Sequence, residues 1–317
     1  MINYDLCVAW NWEYDVDFVL LFEATMKKQG LSLLQVIPHN CETILESILN
    51  NHISFHSFWD RASDTDERFL PLVQWAGNHA VYRINPYEQA SLARDKTNVH
   101  LTLTNTDLNI PYTIILPSYN EEQTLSPIDL SPLGNVFNIK PAKGGGGEGV
   151  IIEAKFWEQV LTARKQYPTS KYLLQTHIIP TMLDSRLAWF RVIYCAGHIY
   201  PCWWDIHTHI YAPVTEQEEN NYQLKQLHSI TSSIAQISGL DLFSTEIALT
   251  TEKVFVVVDY INEPIDLRLQ SQAFDGVPIN IVEDIINRLI VITTAYSHSS
   301  EANKNNYAIQ PVVLMTS

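Results

Sequence analysis

The chain has 317 residues, 46% of them hydrophobic, and a formal net charge of −15 at pH 7. That length and apolar content bury a sizeable core in two or three structural units, and the acidic balance excludes a nucleic-acid backbone or an anionic membrane surface as the main partner. Cys7, Cys41, Cys195 and Cys202 show no Cys-x-x-Cys spacing, no apolar run reaches the roughly 20 residues needed to cross a bilayer, and Met1-Ile2-Asn3-Tyr4-Asp5 lacks signal-peptide character, so a reduced, cytoplasmic protein is expected.

In chain order, residues 6–10 read as a buried strand, 16–28 as an amphipathic helix stopped at Gly30, and 32–37 as a second strand, which is a βαβ opening. A helix over 42–50, a strand over 53–59, a helix over 66–77 and a strand over 80–84 complete a small α/β domain, 1–85. Pro86 starts a new unit, with a helix through Lys96 to about Leu103 and a strand over 112–116. After a helix over 156–167, strands are expected over 172–178, 188–194, 199–204, 244–249 and 254–260, with helices over 218–237 and 281–296 giving an α+β unit. The tail after Ser297 is polar and expected to be mobile.

The most informative segment is Lys140-Pro141-Ala142-Lys143-Gly144-Gly145-Gly146-Gly147-Glu148-Gly149-Val150 between two short strands, 135–139 and 150–152. Consecutive glycines let backbone N–H groups converge on an anion, and the lysines add positive charge. No Gly-Lys-Ser/Thr opens a helix, so this is a glycine-rich hairpin and not a Walker-type loop. In an acidic chain such a local positive site favours a small anionic ligand.

Two carboxylates stand in apolar strands. Glu246 and Asp259 flank the hairpin turn Thr250-Thr251-Glu252-Lys253, which puts them on neighbouring strands. A carboxylate in so apolar a run is costly unless it is paired or metal-bound. Asp205, His207 and His209 alternate and would share one strand face; no fourth ligand completes a zinc motif, and a polar strand edge is expected there. Glu13 and Asp15 follow the first strand at the carboxyl edge where α/β domains bind ligands; Glu13 is a candidate to meet a ligand's ammonium, and Asp15 is equally an N-cap.

The order of strand-Lys-Pro, glycine loop, helix, Gln-x-x-Ile segment, arginine-bearing strands and late acidic strand resembles the ATP-grasp superfamily. It is most similar to the branch with D-alanine:D-alanine ligase, glutathione synthetase and RimK-type ligases. The resemblance implies an ATP-grasp fold with a pre-grasp α/β domain over 1–85, a small α+β subdomain over 86–174 carrying the loop as a lid, and a large one over 175–317, the two subdomains enclosing the ATP site. It further implies activation of a small-molecule or peptide carboxylate by ATP and attack by an amine acceptor, with Mg²⁺, or Mn²⁺ in its place, as cofactor and no nucleic acid or membrane as partner. A homodimer is compatible with it.

By the same resemblance, Lys96 and Lys140 hold nucleotide phosphates, with Lys143, Gly145, Gly146 and Gly147 in the loop. Gln175 and the backbone of His177 and Ile178 meet adenine, and Asp184 meets the ribose. Glu246 and Asp259 bind metal. The usual motif has one spacer between acid and Asn, whereas Asp259-Tyr260-Ile261-Asn262 has two. Asn262 reaches the metal if the strand bulges; otherwise Glu263 or Asp266 takes its place. Ser244 stands where D-alanine ligases carry an arginine, so stabilisation of acylphosphate charge passes to Arg268, the preferred choice, or to Arg191. A small-molecule kinase and a non-catalytic nucleotide-binding module are the competing readings.

Overall fold

The computed structural model describes the backbone of residues 1–307 and the side chains of residues 1–296. In chain order the elements are β1 (Ile2–Trp10), α1 (Val16–Lys28), β2 (Leu33–Val36), α2 (Cys41–Leu49), β3 (Ile53–Arg61), α3 (Leu70–Gly77), β4 (Tyr82–Ile84), α4 (Tyr87–Ala93), α5 (Lys96–Leu103) and β5 (Thr113–Leu116). They continue as β6 (Phe137–Pro141), β7 (Ile151–Ala154), α6 (Trp157–Gln166), β8 (Tyr172–Thr176), β9 (Met182–Leu183), β10 (Arg186–Leu187), β11 (Trp189–Cys195), β12 (His198–Trp204) and β13 (Tyr211–Pro213). The last are α7 (Glu216–Asn221), α8 (Gln226–Ser238), β14 (Leu242–Leu249), β15 (Phe255–Asn262) and α9 (Ile279–Tyr307). Among the described residues no helix is long and apolar enough to cross a membrane.

Two compact units result. The first comprises Met1–Tyr87, Leu267–Gln272 and the segment from Ile279. Its sheet is wholly parallel, in the order β2-β1-β3-β4. Leu6, Cys7, Val8 and Ala9 of β1 are all buried, as a strand covered on both faces requires. Phe18 and Phe22 of α1 pack edge-on against Trp59 of β3. Helix α9 packs on β1 and β3 and so belongs to this first unit, whereas chain order had placed it with the last segment. Its backbone is helical past Ser297 to Tyr307, where a mobile tail was expected; the rest of that tail lies outside the described residues. Asp15 makes no capping bond. Instead its carboxylate is buried and accepts from Arg61 Nε at 2.9 Å and a terminal guanidinium nitrogen at 2.7 Å, because an ionised group with so little water needs a paired, bidentate partner.

The second unit comprises Glu88–Asp266 and Ala273–Pro278. One antiparallel sheet runs β5-β8-β6-β7, with α6 covering a core of Phe137, Ile139, Val160, Tyr172 and Leu174. The expected helix through 96 begins afresh at Asp95, whose carboxylate accepts from the backbone N–H groups of Thr97 and Asn98 and caps α5. A second antiparallel sheet runs β13-β12-β11-β14-β15. One of its faces, with Phe190, Val192, Phe243, Ile247 and Val257, shares a core with Leu227, Ile230 and Ile234 of α8. The expected helix 218–237 is two helices: Thr215 and Glu218 form a reciprocal cap that starts α7, and Gln223, at φ 58°, interrupts the run before α8.

Candidate functional site

The opposite face of the second sheet carries the charged residues. Arg191 of β11 pairs in register with Glu246 of β14, and Glu246 with Asp259 of β15. Their neighbours in register, Ser244 and Asn262, are also paired. Between these two pairs β14 has one spacer, Thr245, and β15 has two, Tyr260 and Ile261, so β15 bulges. Side chains alternate along a strand, and three positions of separation would place Asp259 and Asn262 on opposite faces. The extra residue restores the parity and brings both to the face of Glu246.

A second register shift lies between Glu246 and Ile247, where Val258 of β15 is the extra residue, and side chains reach backbone carbonyls at both irregularities. Lys140 Nζ donates to the carbonyl of Val258 at 3.1 Å, and Thr245 Oγ1 donates to the carbonyl of Asp259 at 3.1 Å. Lys140 thereby enters the carboxylate cluster from the end of β6, with only 9% exposure. Burial pulls the pKa of its ammonium down, opposed by the charges of Asp259 and Glu246.

Glu246 accepts from Trp189 Nε1 at 3.1 Å and lies 3.8 Å from an Arg191 guanidinium nitrogen. Burial raises its pKa; Arg191 opposes that shift and the like charge of Asp259 adds to it. Arg191 donates from Nε to Ser244 Oγ at 3.3 Å and lies 4.7 Å from the ring centre of Trp204, a cation–π contact. Burial pulls its pKa down, but Tyr211, Glu246, Asp259 and Asp266 more than offset this, so it is raised. Tyr211, against Trp204, has its phenol pushed up to about 12, chiefly by burial.

These donors fit a hard divalent cation. Glu246 and Asp259 supply carboxylate oxygens, and the buried Nδ2 of Asn262 has no hydrogen-bond partner among the described residues. A half-turn of that amide puts its oxygen, a ligand for Mg²⁺ or Mn²⁺, in place of the unpartnered nitrogen. Of the residues considered as substitutes for Asn262, Glu263 is buried against Arg94 at 2.9 Å, and Asp266 is close enough to act on Arg191 and Tyr211.

Lys96 opens α5; its backbone N–H donates to Ala142 O at 2.8 Å and its Nζ to Gly144 O at 2.9 Å. Gly145, Gly146 and Gly147 are exposed, and a Cβ on any of them would meet nothing within 4 Å. Lys143 lines a cavity of about 140 Å³ with Asp95, Glu121, Ser170 and Lys171. Gln175 is buried, and its Nε2 donates to Tyr260 Oη at 2.6 Å and to Thr113 Oγ1 at 3.1 Å. His177 bonds Asn138 Oδ1 through Nδ1 at 3.1 Å. Ile178 packs with Trp189, Ala248, Val256 and Val258, an apolar floor beside the carboxylates. Asp184 is an exposed turn residue at φ 52° that accepts from Tyr222 Oη.

Glu13 and Arg268 belong to the first unit, Glu13 in a short 3₁₀ turn and Arg268 with its guanidinium 5.6 Å from the ring centre of Trp12. Of the two arginines considered, Arg191 is thus the one the second unit places beside Glu246. The 205–209 segment is not a strand: Asp205 accepts from the backbone N–H groups of His207 and Thr208 at 2.8 Å each, forming a turn. His209 stacks on Trp204, and among the described residues no group of three His, Cys, Asp or Glu side chains is arranged to hold a metal.

Sequence reasoning passed over Thr245, Trp204, His100 and Tyr260. Tyr260 alone carried a signal, as a hydroxyl-bearing ring beside Asp259 in an apolar strand.

No family model matches the chain, and no curated protein matches it in sequence. Solved structures match its fold. D-alanine–D-alanine ligase from Bacillus anthracis complexed with ATP aligns with a TM-score of 0.67 at 10% identity, covering 95% of this chain and 100% of that one. The ATP-grasp ligase PsnB complexed with a minimal precursor, Mg and ADP aligns with a TM-score of 0.60 at 10% identity, covering 91% and 99%. The macrocyclase MdnC bound with precursor peptide MdnA from Microcystis aeruginosa aligns with a TM-score of 0.59 at 11% identity, covering 90% and 99%. The chain has the ATP-grasp fold, as the glycine hairpin and its surrounding order of segments had suggested.

Proposed function

We propose that this chain is an ATP-dependent ligase that joins a carboxylate to an amine through an acylphosphate, releasing ADP and phosphate. The observation that carries the reading is the shared face of Glu246, Asp259 and Asn262, with Lys140 and Arg191 beside it. Oxygen donors next to two fixed cations suit a nucleotide triphosphate with its divalent ion. The ion, Mg²⁺ or Mn²⁺, would neutralise charge on the transferring phosphoryl group.

The chain's own residues do the rest by position and charge. Lys140 and Lys96 would bind phosphate oxygens, and the loop with Lys143, Gly145, Gly146 and Gly147 would close over them and exclude water. Ile178 and the apolar residues around it would seat the purine, with backbone groups of His177 and Ile178 directing it and Gln175 behind that segment. Asp184 is the proposed ribose contact. Arg191, held over the Trp204 ring, would stabilise charge on the acylphosphate, with Arg268 a second candidate. Glu13 would meet an acceptor ammonium. The substrate class is an amino acid, a peptide or a related small carboxylate.

An ADP-release screen with amino acids and peptides tests the reading. A ligase releases ADP and phosphate in step when acid and amine are both present. A stable phosphorylated product without free phosphate would identify a kinase, and nucleotide binding without turnover on any carboxylate or alcohol would identify a non-catalytic module.

A further inference from the structure

Tyr260 is one of the two residues that form the β15 bulge, and its hydroxyl lies in the core, remote from water. It accepts from Gln175 Nε2 at 2.6 Å and bonds His100 Nδ1 at 2.7 Å. Gln175 Nε2 also reaches Thr113 Oγ1 at 3.1 Å. Since Gln175 donates to the phenol oxygen, the phenol proton is free to go to an unprotonated His100 Nδ1. Burial lowers the pKa of His100, which favours that neutral imidazole. Three elements, α5, β8 and β15, meet at this one hydroxyl.

A second tie lies on the other side of Asn262. Arg94, two residues before Lys96, binds Glu263 at 2.9 Å, and that carboxylate side chain is only 4% exposed. The bulge between Asp259 and Asn262 is therefore flanked by two side-chain anchors, Tyr260 to His100 of α5 and Glu263 to Arg94 just before α5. A one-residue insertion in a strand pair without such anchors is free to slip, and a slip by one residue turns Asn262 to the opposite face.

We infer that Tyr260 and Glu263 are positioning residues whose bonds to His100, Gln175 and Arg94 hold the bulge in the register that puts Asn262 beside Asp259 and Glu246. Glu263, on this account, is an anchor and not a metal ligand. The inference rests on the proposed reading of that face as the site for a nucleotide-bound divalent ion, and goes beyond it by naming the residues that compensate for the extra spacer.

The test is Mn²⁺ binding in the presence of ATP, followed by electron paramagnetic resonance on the full chain. Tyr260→Phe keeps the buried ring and removes the hydroxyl, and Arg94→Gln removes the partly exposed partner of Glu263, so the two anchors are tested by independent variants. Outer contacts of this kind change metal affinity by about 10–100-fold, and each variant is expected to bind Mn²⁺ at least about tenfold more weakly than wild type. Thr231→Val, which removes a buried hydroxyl bonded to Leu227 O on α8, is the control for general destabilisation and is expected to bind as wild type does. Wild-type affinity in both Tyr260→Phe and Arg94→Gln overturns the inference alone, as does an equal weakening in Thr231→Val. Failure of the wild-type protein to bind Mn²⁺ with ATP overturns the functional reading, and the inference with it.

Discussion

Glu246 and Asp259 are paired directly across β14 and β15, two carboxylates facing one another at a partly covered site. Burial and the neighbouring Asp259 both raise the Glu246 pKa, against Arg191. The folded state therefore holds a proton on Glu246 more tightly than the unfolded chain, whose glutamates titrate near about 4.3. The resulting stability is full below that pH and is lost as pH rises through the higher folded-state value. In metal-free protein, the Glu246 contribution to unfolding free energy should fall with rising pH across this window, and Glu246→Gln should lack it. Denaturant titrations at several pH values check this. Mg²⁺ should reverse the trend in wild type only, because the cation binds the deprotonated form.

Thr245→Val separates the bulge from the metal. Valine matches the shape of threonine but leaves the carbonyl of Asp259 without its 3.1 Å donor. A buried carbonyl left unsatisfied costs about 1–3 kcal/mol, and this part-buried one should cost no more than that. Urea unfolding should show a lower midpoint with an unchanged slope, and an unaltered midpoint would remove Thr245 from the account.

Arg191→Lys keeps the charge and loses the planar group that lies over Trp204 and reaches Ser244 and Glu246. Removal of a fixed donor to developing charge costs roughly 10²–10³ in kcat. Arg191→Ala should lose that much in an ADP-release assay and Arg191→Lys most of it, with KM for ATP changed far less.

The loop glycines divide by what surrounds them. Gly149 has φ +72°, and a Cβ there would come within 2.5 Å of the Tyr167 ring, whose hydroxyl bonds Glu148 at 2.8 Å. Gly145 has open space around it and an ordinary φ. Gly149→Ala should displace Tyr167 and speed proteolytic nicking within 143–150, whereas Gly145→Ala should leave the nicking rate near that of wild type.

Much of this architecture was legible in the chain. The βαβ opening, the glycine hairpin and the two acidic strands all follow from periodicity and turn residues, with α1 and β15 close to their expected bounds and β1 starting at Ile2 rather than Leu6. What escaped was set by side-chain bonds between distant residues. Alternation cannot tell a strand from the turn that Asp205 makes with His207 and Thr208. Asp15 reads as a cap until Arg61, far along the chain, is brought against it. The two spacers after Asp259 allowed a bulge that brings Asn262 round or a substitute in Glu263 or Asp266, and the chain alone left that choice open because a bulge depends on its partner strand and on groups such as Thr245 and Tyr260.

On the proposed reading, Glu246, Asp259 and Asn262 together hold a nucleotide-bound divalent ion. Manganese anomalous diffraction from crystals grown with Mn²⁺ and a non-hydrolysable ATP analogue tests it most directly. A manganese peak is expected within about 2.0–2.6 Å of oxygens from Glu246, Asp259 and Asn262, with the triphosphate on its other side and Lys140 in contact with it. Nucleotide bound with manganese elsewhere, or with Asn262 turned to the opposite face of β15, would contradict it.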